Sequence, residues 1–160
     1  MNLELVPVTV PDNANVIIGQ SHFIKTVEDL YETMVTSVPQ AAFGLAFNEA
    51  SGACLTRVDG NNDELRAAAI ACATNIGAGH TFVVFLRNAF PINVLNRIKD
   101  CPEVCRVFCA TANPLQVIVA ASELGRGILG VIDGSSPLGV EQDADREWRI
   151  GFLKKIGYKR

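Results

Sequence analysis

Two histidines are the first residues of this chain whose type and setting could support chemistry. Each follows a polar segment that contains glycine, as Gly19-Gln20-Ser21-His22 and as Gly77-Ala78-Gly79-His80. An imidazole can act as a nucleophile, as a general base or as a metal ligand. A structural role is the alternative at both positions, and the glycine-rich turn makes His80 the stronger catalytic candidate. Because there is no third histidine, a site with three histidine ligands is excluded.

Two glycine-rich turns, Gly77-Ala78-Gly79 and Gly125-Arg126-Gly127, could supply a binding site for an anion. Glycine lets the backbone approach an anion closely, and the N–H groups of a turn can then form a nest around it. The Arg126 guanidinium can bind a phosphate through two donors. The alternative is that both are ordinary tight turns. A P-loop or Rossmann site is not expected, because neither G-x-x-x-x-G-K-[ST] nor a helix-opening G-x-G-x-x-G is present.

Carboxylate, amide and amine side chains beside these segments extend the candidate site. Glu49 and Asp133 each end an apolar segment, where a carboxylate could hold Mg²⁺ or bind a ribose hydroxyl. The alternative for both is a solvated turn residue. Asn113 offers an amide to a base or a sugar, although Asn113-Pro114 is also a turn signal. Lys25 follows His22 closely and offers a cationic group to a phosphate.

Five cysteines, at positions 54, 72, 101, 105 and 109, indicate a compartment rather than a metal site. Their odd number and the lack of a secretory signal pattern favour reduced thiols in the cytoplasm. Cys101, Cys105 and Cys109 are four residues apart, but their segment predicts a strand, on which this spacing does not bring side chains together. We therefore expect buried apolar thiols at these three positions and no metal cluster.

Composition and charge limit the class of protein. The chain has 160 residues, 49% of them hydrophobic and 19% charged, with a formal net charge of −3. These values predict one folded domain over 1–160 and exclude a disordered protein. The charge gives no basis for binding nucleic acid, and no apolar run approaches the roughly 18 residues that cross a membrane. The charged fraction lies below the roughly 25% of an average domain, which favours a homo-oligomer with surface buried between subunits.

Apolar periodicity predicts an alternation of strands and helices. Thr26 is the predicted N-cap of the first helix, and Trp148, Phe152 and Ile156 lie on one side of the last. Buried strands interleaved with helices indicate a layered α/β fold, and a predicted hairpin over 43–59 argues for a mixed sheet. Strands are predicted over 2–10, 16–24, 43–49, 54–59, 81–86, 104–110, 115–121 and 128–132, and helices over 26–38, 65–76, 91–99 and 143–156.

Several long segments of the chain resemble the adenosine-specific kinase family. They occur in the same order and are GQSHFIKTVEDLYE (19–32), FGLAFNEASG (43–52), GNNDEL (60–65), IGAGHTFVVFLRNAFPINVLN (76–96), CATANP (109–114), GRGILGVIDG (125–134) and IGYKR (156–160). The resemblance covers residues 15–160. It implies a three-layer α/β/α domain, assembly into homo-oligomers, a site for adenosine or AMP, a phosphohistidine and kinase activity on adenosine.

The resemblance also implies a mechanism in two steps. A histidine takes the γ-phosphoryl group of ATP and passes it to the 5′-hydroxyl of adenosine. His80 is the predicted phosphorylated residue, and His22 is the second candidate or the base for the hydroxyl. The amides of 77–79 and Arg126 would stabilise charge on the transferring oxygens. Asp133 or Glu49 would hold Mg²⁺.

Three positions depart from the family pattern. Asn48 replaces a common cysteine, Ala121 an acidic residue and Leu138 a common basic residue, so ligand preference or activity can differ if these positions touch the ligand. Two alternatives to the kinase stay open: a non-catalytic module that binds or senses adenosine or AMP, and a hydrolase that uses the histidine. A trimer would suit a site shared between subunits.

Overall fold

The computed structural model describes residues 1–160, which form eight strands and four helices. A 3₁₀ turn over Pro91–Asn93 precedes the third helix, so the helix predicted over 91–99 is divided in two. In chain order the elements are β1 (Asn2–Val8), β2 (Asn15–Ser21), α1 (Thr26–Ser37), β3 (Ala42–Asn48), β4 (Thr56–Gly60), α2 (Asp63–Ile76), β5 (Thr81–Arg87), α3 (Leu95–Lys99), β6 (Val104–Thr111), β7 (Leu115–Ala121), β8 (Arg126–Asp133) and α4 (Asp143–Lys155).

The elements are arranged in three layers. A five-stranded sheet, ordered β4-β3-β5-β2-β6, forms the middle layer. Helices α1 and α3 cover one of its faces, with Leu30, Met34 and Ile98 in the buried core. The other face packs against α2 and a three-stranded sheet ordered β1-β7-β8. The predicted layered α/β fold is therefore confirmed.

The strand pairing differs from the predicted mixed sheet, because every ladder in both sheets is antiparallel. Apolar runs such as Thr81–Arg87 are typical of strands buried on both faces, which are common in parallel sheets. In this fold β5 is apolar because it is the central strand and has a core on each side. Val83 and Phe85 belong to one core, and Phe82 and Val84 to the other.

Helix α2 ends at the first of the two glycine turns. Asn62 caps its N-terminus, with Oδ1 accepting a hydrogen bond from the Leu65 amide at 3.0 Å, so the helix begins before the predicted residue 65. At the other end Gly77 has φ +63°, a left-handed conformation that favours glycine and stops the helix. The buried face of α2 therefore leads directly to the turn that precedes His80.

Strand β3 and helix α2 approach each other closely at Gly44. A Cβ atom at this position would overlap the backbone of Leu65 and Arg66. Only glycine allows the strand and the helix to touch here. This contact sets the height of α2 above the sheet.

Two details of the sequence prediction are wrong. Thr26 is the first residue of α1 and not its N-cap, which is Lys25 without a side-chain cap. Of the three cysteines expected to be buried, only Cys109 is buried, whereas Cys101 is half-buried and Cys105 is exposed. Cys105 is exposed because register shifts in the pairing of β6 with β2 interrupt the alternation of side chains, so Cys105 does not share the buried face of Cys109.

The segment after β8 extends away from the rest of the chain. From Ser135 to Arg160 every side chain is exposed except that of Leu153, which is half-buried. The amphipathic helix predicted here is present as α4, but its apolar residues have no core to face, and Trp148 and Phe152 stack only on each other. None of the four helices combines the length and the apolar character that spanning a membrane requires.

Candidate functional site

A cleft of about 820 Å³ lies where the turn between β7 and β8 meets the C-terminal end of α2 and the end of β3. Seven of the residues selected from the sequence line it: Glu49, Gly77, Gly79, His80, Gly125, Arg126 and Gly127. Asn48 and Ala121, two of the three positions that depart from the family pattern, line it as well. The third, Leu138, lies in the exposed segment that follows β8.

His80 stands at the start of β5 on the wall of the cleft. Its amide donates to the Asn48 carbonyl oxygen at 2.8 Å, and its own carbonyl oxygen accepts from the Ser21 amide at 3.0 Å. Its imidazole is stacked on Phe47, with 5.9 Å between ring centroids and 10° between planes. The backbone has φ +61°, which is uncommon for a residue with a side chain. Two neighbouring strands and an aromatic ring therefore fix this half-buried histidine.

The turn of residues 77–79 offers fewer free amides than the sequence predicts. The Gly77 amide already donates to the Ala73 carbonyl oxygen at 2.9 Å, closing α2. The amides of Ala78 and Gly79 have no acceptor in the chain, but Ala78 is buried and only Gly79 lines the cleft. A Cβ on Gly79 would lie 2.9 Å from that of Ala50, so close packing also requires this glycine.

Asn48 holds this turn in place, a role that its sequence context did not indicate. Its Nδ2 donates to the carbonyl oxygens of Ala73 at 2.8 Å and Ala78 at 3.0 Å, and its Oδ1 accepts from Thr56 Oγ1 at 2.8 Å. The side chain is 7% exposed. Because it joins β3, β4 and the end of α2, Asn48 positions the backbone on both sides of His80.

Arg126 lines the cleft from β8 and is hydrogen-bonded to two other elements, α2 and β1. Its Nε donates to the carbonyl oxygen of Ile76 at 2.8 Å, and one Nη donates to Glu4 Oε2 at 2.8 Å. The C-terminal end of a helix carries partial negative charge, which would repel a phosphate, and a cation at this end offsets it. The remaining N–H groups of the guanidinium are available at the cleft wall.

Both carboxylate oxygens of Glu49 are hydrogen-bonded to neighbouring groups. Its Oε1 accepts from Arg57 Nε at 2.7 Å, and its Oε2 accepts from the Leu55 amide at 3.0 Å. The hydrogen bond from Leu55 and the Arg57 guanidinium hold the pKa of Glu49 below its usual range. Glu49 is thus an ionised, engaged carboxylate and a weak candidate for a general base.

Two predicted site residues, Asn113 and Asp133, lie together at the other end of the three-stranded sheet. Asp133 Oδ1 accepts from Thr111 Oγ1 at 2.7 Å and from Asn113 Nδ2 at 3.1 Å. In the ladder between β7 and β8, Asp133 pairs with Leu115, whereas Arg126 pairs with Ala121 at the opposite end. Six steps along a strand correspond to about 20 Å, so this pair is remote from the cleft.

His22 and Lys25 are exposed and do not line the cleft, although Ser21 pairs with His80. Lys25 instead belongs to a separate polar cluster at the start of α1, where its Nζ lies 2.6 Å from Asp29 Oδ2. The cluster also contains Glu103, which is 1% exposed and whose carboxyl oxygens are reached by no donor group. Burial, as the larger cause, and the adjacent Asp29 raise the pKa of Glu103 above its ordinary value.

Replacing Glu103 by glutamine should stabilise the protein increasingly as the pH rises. An unfolded glutamate ionises near pH 4.3, whereas folded Glu103 stays neutral to higher pH. Its contribution to stability is therefore full below about pH 4.3 and is lost as the pH rises through the raised folded-state pKa. Glutamine remains neutral, and its amide can donate to Asp29.

Thermal unfolding at pH 4, 6 and 8 measures this effect, with Glu32→Gln on the exposed side of α1 as the control. We expect the melting temperature of Glu103→Gln to exceed that of the wild type by several degrees at pH 8 and by less at pH 4. An equal difference at all three pH values would contradict the raised pKa of Glu103.

The side chains present do not fit a magnesium ion held by the protein. No group of three or more histidine, cysteine, aspartate or glutamate side chains is placed to bind a metal. Of the two predicted ligands, Glu49 is paired with Arg57, and Asp133 is bonded to Thr111 and Asn113 outside the cleft. Mg²⁺ therefore enters the chemistry below only as the ion that accompanies ATP.

Comparison with known proteins agrees with the resemblance seen in the sequence. The family model described as adenosine-specific kinase matches residues 6–159. The PH1918 protein from Pyrococcus horikoshii OT3, for which there is a crystal structure, shares 46% sequence identity with this chain. The two structures superpose with a TM-score of 0.95, over 99% of this chain and 98% of that one. No curated protein matches the chain. A family match over nearly the whole chain, on the fold described above, shows that the chain belongs to the adenosine-specific kinase family.

Proposed function

We propose that this protein transfers the γ-phosphoryl group of ATP to the 5′-hydroxyl of adenosine through a phosphohistidine at His80. The observation that carries this proposal is the position of His80, which lines the cleft together with Arg126 and Gly79, whereas His22 does not. Membership of the adenosine-specific kinase family supports the substrate and the donor.

The two transfer steps follow from the groups in the cleft. A neutral imidazole nitrogen of His80 attacks the γ-phosphorus, forming an N–P bond while the bond to the bridging oxygen breaks and ADP leaves. The adenosine 5′-oxygen then attacks the same phosphorus, the N–P bond breaks, and AMP and a free imidazole result, with the hydroxyl proton passing to solvent. Arg126 and the Gly79 amide face the charge that develops on the phosphoryl oxygens.

The volume and the lining of the cleft also support a nucleoside ligand. Its volume of about 820 Å³ lies within the roughly 300–1,000 Å³ of typical small-molecule sites. Ala120, Ile128 and Leu129 contribute apolar surface to its lining, against which an adenine ring can pack. Arg126 and His80 line the same cleft, so the phosphate end of AMP would lie toward these two residues.

Incubation of the protein with γ-labelled ATP and Mg²⁺, with and without adenosine, tests the proposal. We expect acid-labile, base-stable label on the protein that moves to AMP when adenosine is added. Release of labelled inorganic phosphate without adenosine would instead identify a hydrolase. Absence of both label and AMP would contradict the kinase.

One observation favours a second candidate function, a module that binds adenosine or AMP without turnover. Glu49, the one carboxylate that lines the cleft, is already bonded to Arg57 and Leu55 and is a weak base for the adenosine hydroxyl. Binding of adenosine or AMP by calorimetry, without label or product, would support this module.

We also propose that the protein assembles into a homo-oligomer, of which a trimer would allow each cleft to be shared. The support is a pair of exposed apolar surfaces. One is the face of α4 that carries Trp148, Phe152 and Ile156, which are 69%, 45% and 44% exposed. The other is the outer face of the three-stranded sheet, where Leu5 and Ile132 are exposed. In a second copy each surface provides apolar area for the other to bury.

The double substitution Trp148→Glu and Phe152→Glu should dissociate such an assembly. Both side chains lie outside the core, so the domain itself should stay folded. Light scattering should give a multiple of 17.2 kDa for the wild type and a mass near 17.2 kDa for the variant. Glu147→Gln, an exposed position on the same helix, is the control. A wild type that is already monomeric would contradict the proposal.

A further inference from the structure

We propose that Glu4 sets the preference of the cleft for nucleoside over nucleotide by acting on Arg126. The inference rests on the proposed function, because it takes Arg126 as the group that binds the phosphate. Glu4 contacts Arg126 and is not among the residues that line the cleft, so it is a positioning residue.

Two hydrogen bonds fix the plane of the Arg126 guanidinium. Its Nε is bonded to the Ile76 carbonyl oxygen at the end of α2, and one Nη is bonded to Glu4 Oε2 on β1, each at 2.8 Å. These partners belong to two different elements and approach the guanidinium from separate directions. Arg126 also lines the cleft, so the donors that these two bonds leave free can bind a phosphate there.

The same contact also reduces the charge that a ligand meets. A phosphate bound to Arg126 shares the guanidinium with a carboxylate and lies near its negative charge. Adenosine carries no charge and is not affected in this way. The side chains of Arg126 and Glu4 are 27% and 44% exposed, so solvent screens the effect but does not remove it. Glu4 thus weakens binding of AMP relative to adenosine, which favours release of a phosphorylated product.

Two substitutions separate the charge of Glu4 from its positioning role. Glu4→Gln removes the charge but keeps an oxygen that can accept from Arg126. Glu4→Ala removes both. The matched control is Glu64→Gln, because Glu64 pairs with Arg87 at 2.7 Å in a similarly exposed ion pair that does not line the cleft.

Isothermal titration calorimetry with adenosine and with AMP gives the ratio of the two dissociation constants for each variant. We expect Glu4→Gln to shift this ratio about threefold in favour of AMP. Glu4→Ala should shift the ratio toward AMP by less, because the Arg126 guanidinium is no longer oriented. Glu64→Gln should keep the wild-type ratio.

An unchanged ratio in Glu4→Gln, or equal ratios in Glu4→Gln and Glu4→Ala, would overturn the proposal. A wild type that binds neither adenosine nor AMP would instead contradict the proposed function itself, and this inference with it. The two failures are thus distinguishable in one set of titrations.

Discussion

Replacing His80 by asparagine should lower phosphoryl transfer to the protein and to adenosine by about 10³-fold or more. Asparagine offers no nucleophilic ring nitrogen, so the N–P bond of the proposed intermediate cannot form. It is also the best-tolerated substitute for the backbone, because His80 has φ +61° and asparagine is enriched in that left-handed region. Loss of activity should therefore come without loss of the fold.

Labelling by γ-labelled ATP and chromatography of AMP measure this effect, and His22→Asn is the matched control. His22 is exposed and does not line the cleft, so we expect His22→Asn to retain both label and product. Melting temperatures and adenosine binding should be close to wild type for both variants. If His80→Asn kept its label while His22→Asn lost it, the nucleophile would be His22, and the assignment made from the cleft would be wrong.

Replacing Gly44 by alanine should destabilise the protein by about 3 kcal/mol, the upper part of the range for overpacked cores. The added Cβ would overlap the backbone of Leu65 and Arg66, and backbone atoms of a helix cannot rotate away as the end of a side chain can. For a chain of this size we expect a fall of about 10 °C in melting temperature. Because α2 carries the turn of residues 77–79, a displaced helix should also weaken adenosine binding.

Gly130→Ala is the control for this experiment. Gly130 also lies in a strand, β8, but a Cβ there has no atom within 4 Å. Its melting temperature should stay close to that of the wild type or rise slightly, since alanine restricts the unfolded chain. Similar destabilisation by the two substitutions would show that the contact between β3 and α2 is not the cause.

Most of the secondary structure could be predicted because each element carries a local signal. The turn at Gly77 follows a helical run whose buried positions recur at Leu65, Ala69 and Ala73, and the structure ends α2 at that glycine. The pairing of the strands was harder to predict. An apolar run such as Thr81–Arg87 shows that a strand is covered on both faces but not which direction its neighbours take.

The candidate site was only partly predictable, because the sequence does not show which strands are neighbours or in which direction they run. The two glycine turns meet because the end of α2 and the turn between β7 and β8 lie on the same side of the molecule, which depends on strand order. Arg126 is the first residue of β8 and Asp133 is the last, and the sequence does not show which end of this strand lies near His80. Asn48 and Glu4 were missed as positioning residues because their partners are remote: Glu4 and Arg126 are 122 residues apart.

The immobility of His80 has a consequence for the order of events. Its backbone is hydrogen-bonded to β2 and to β3, and its ring is stacked on Phe47. A phosphoryl group bound to this residue can therefore move very little. The phosphoryl group cannot move between two separate binding sites. Donor and acceptor must therefore occupy the same cleft in turn, and ADP must leave before adenosine reacts. Such an enzyme shows ping-pong kinetics, in which ATP reacts with the free protein and adenosine reacts with the phosphorylated protein.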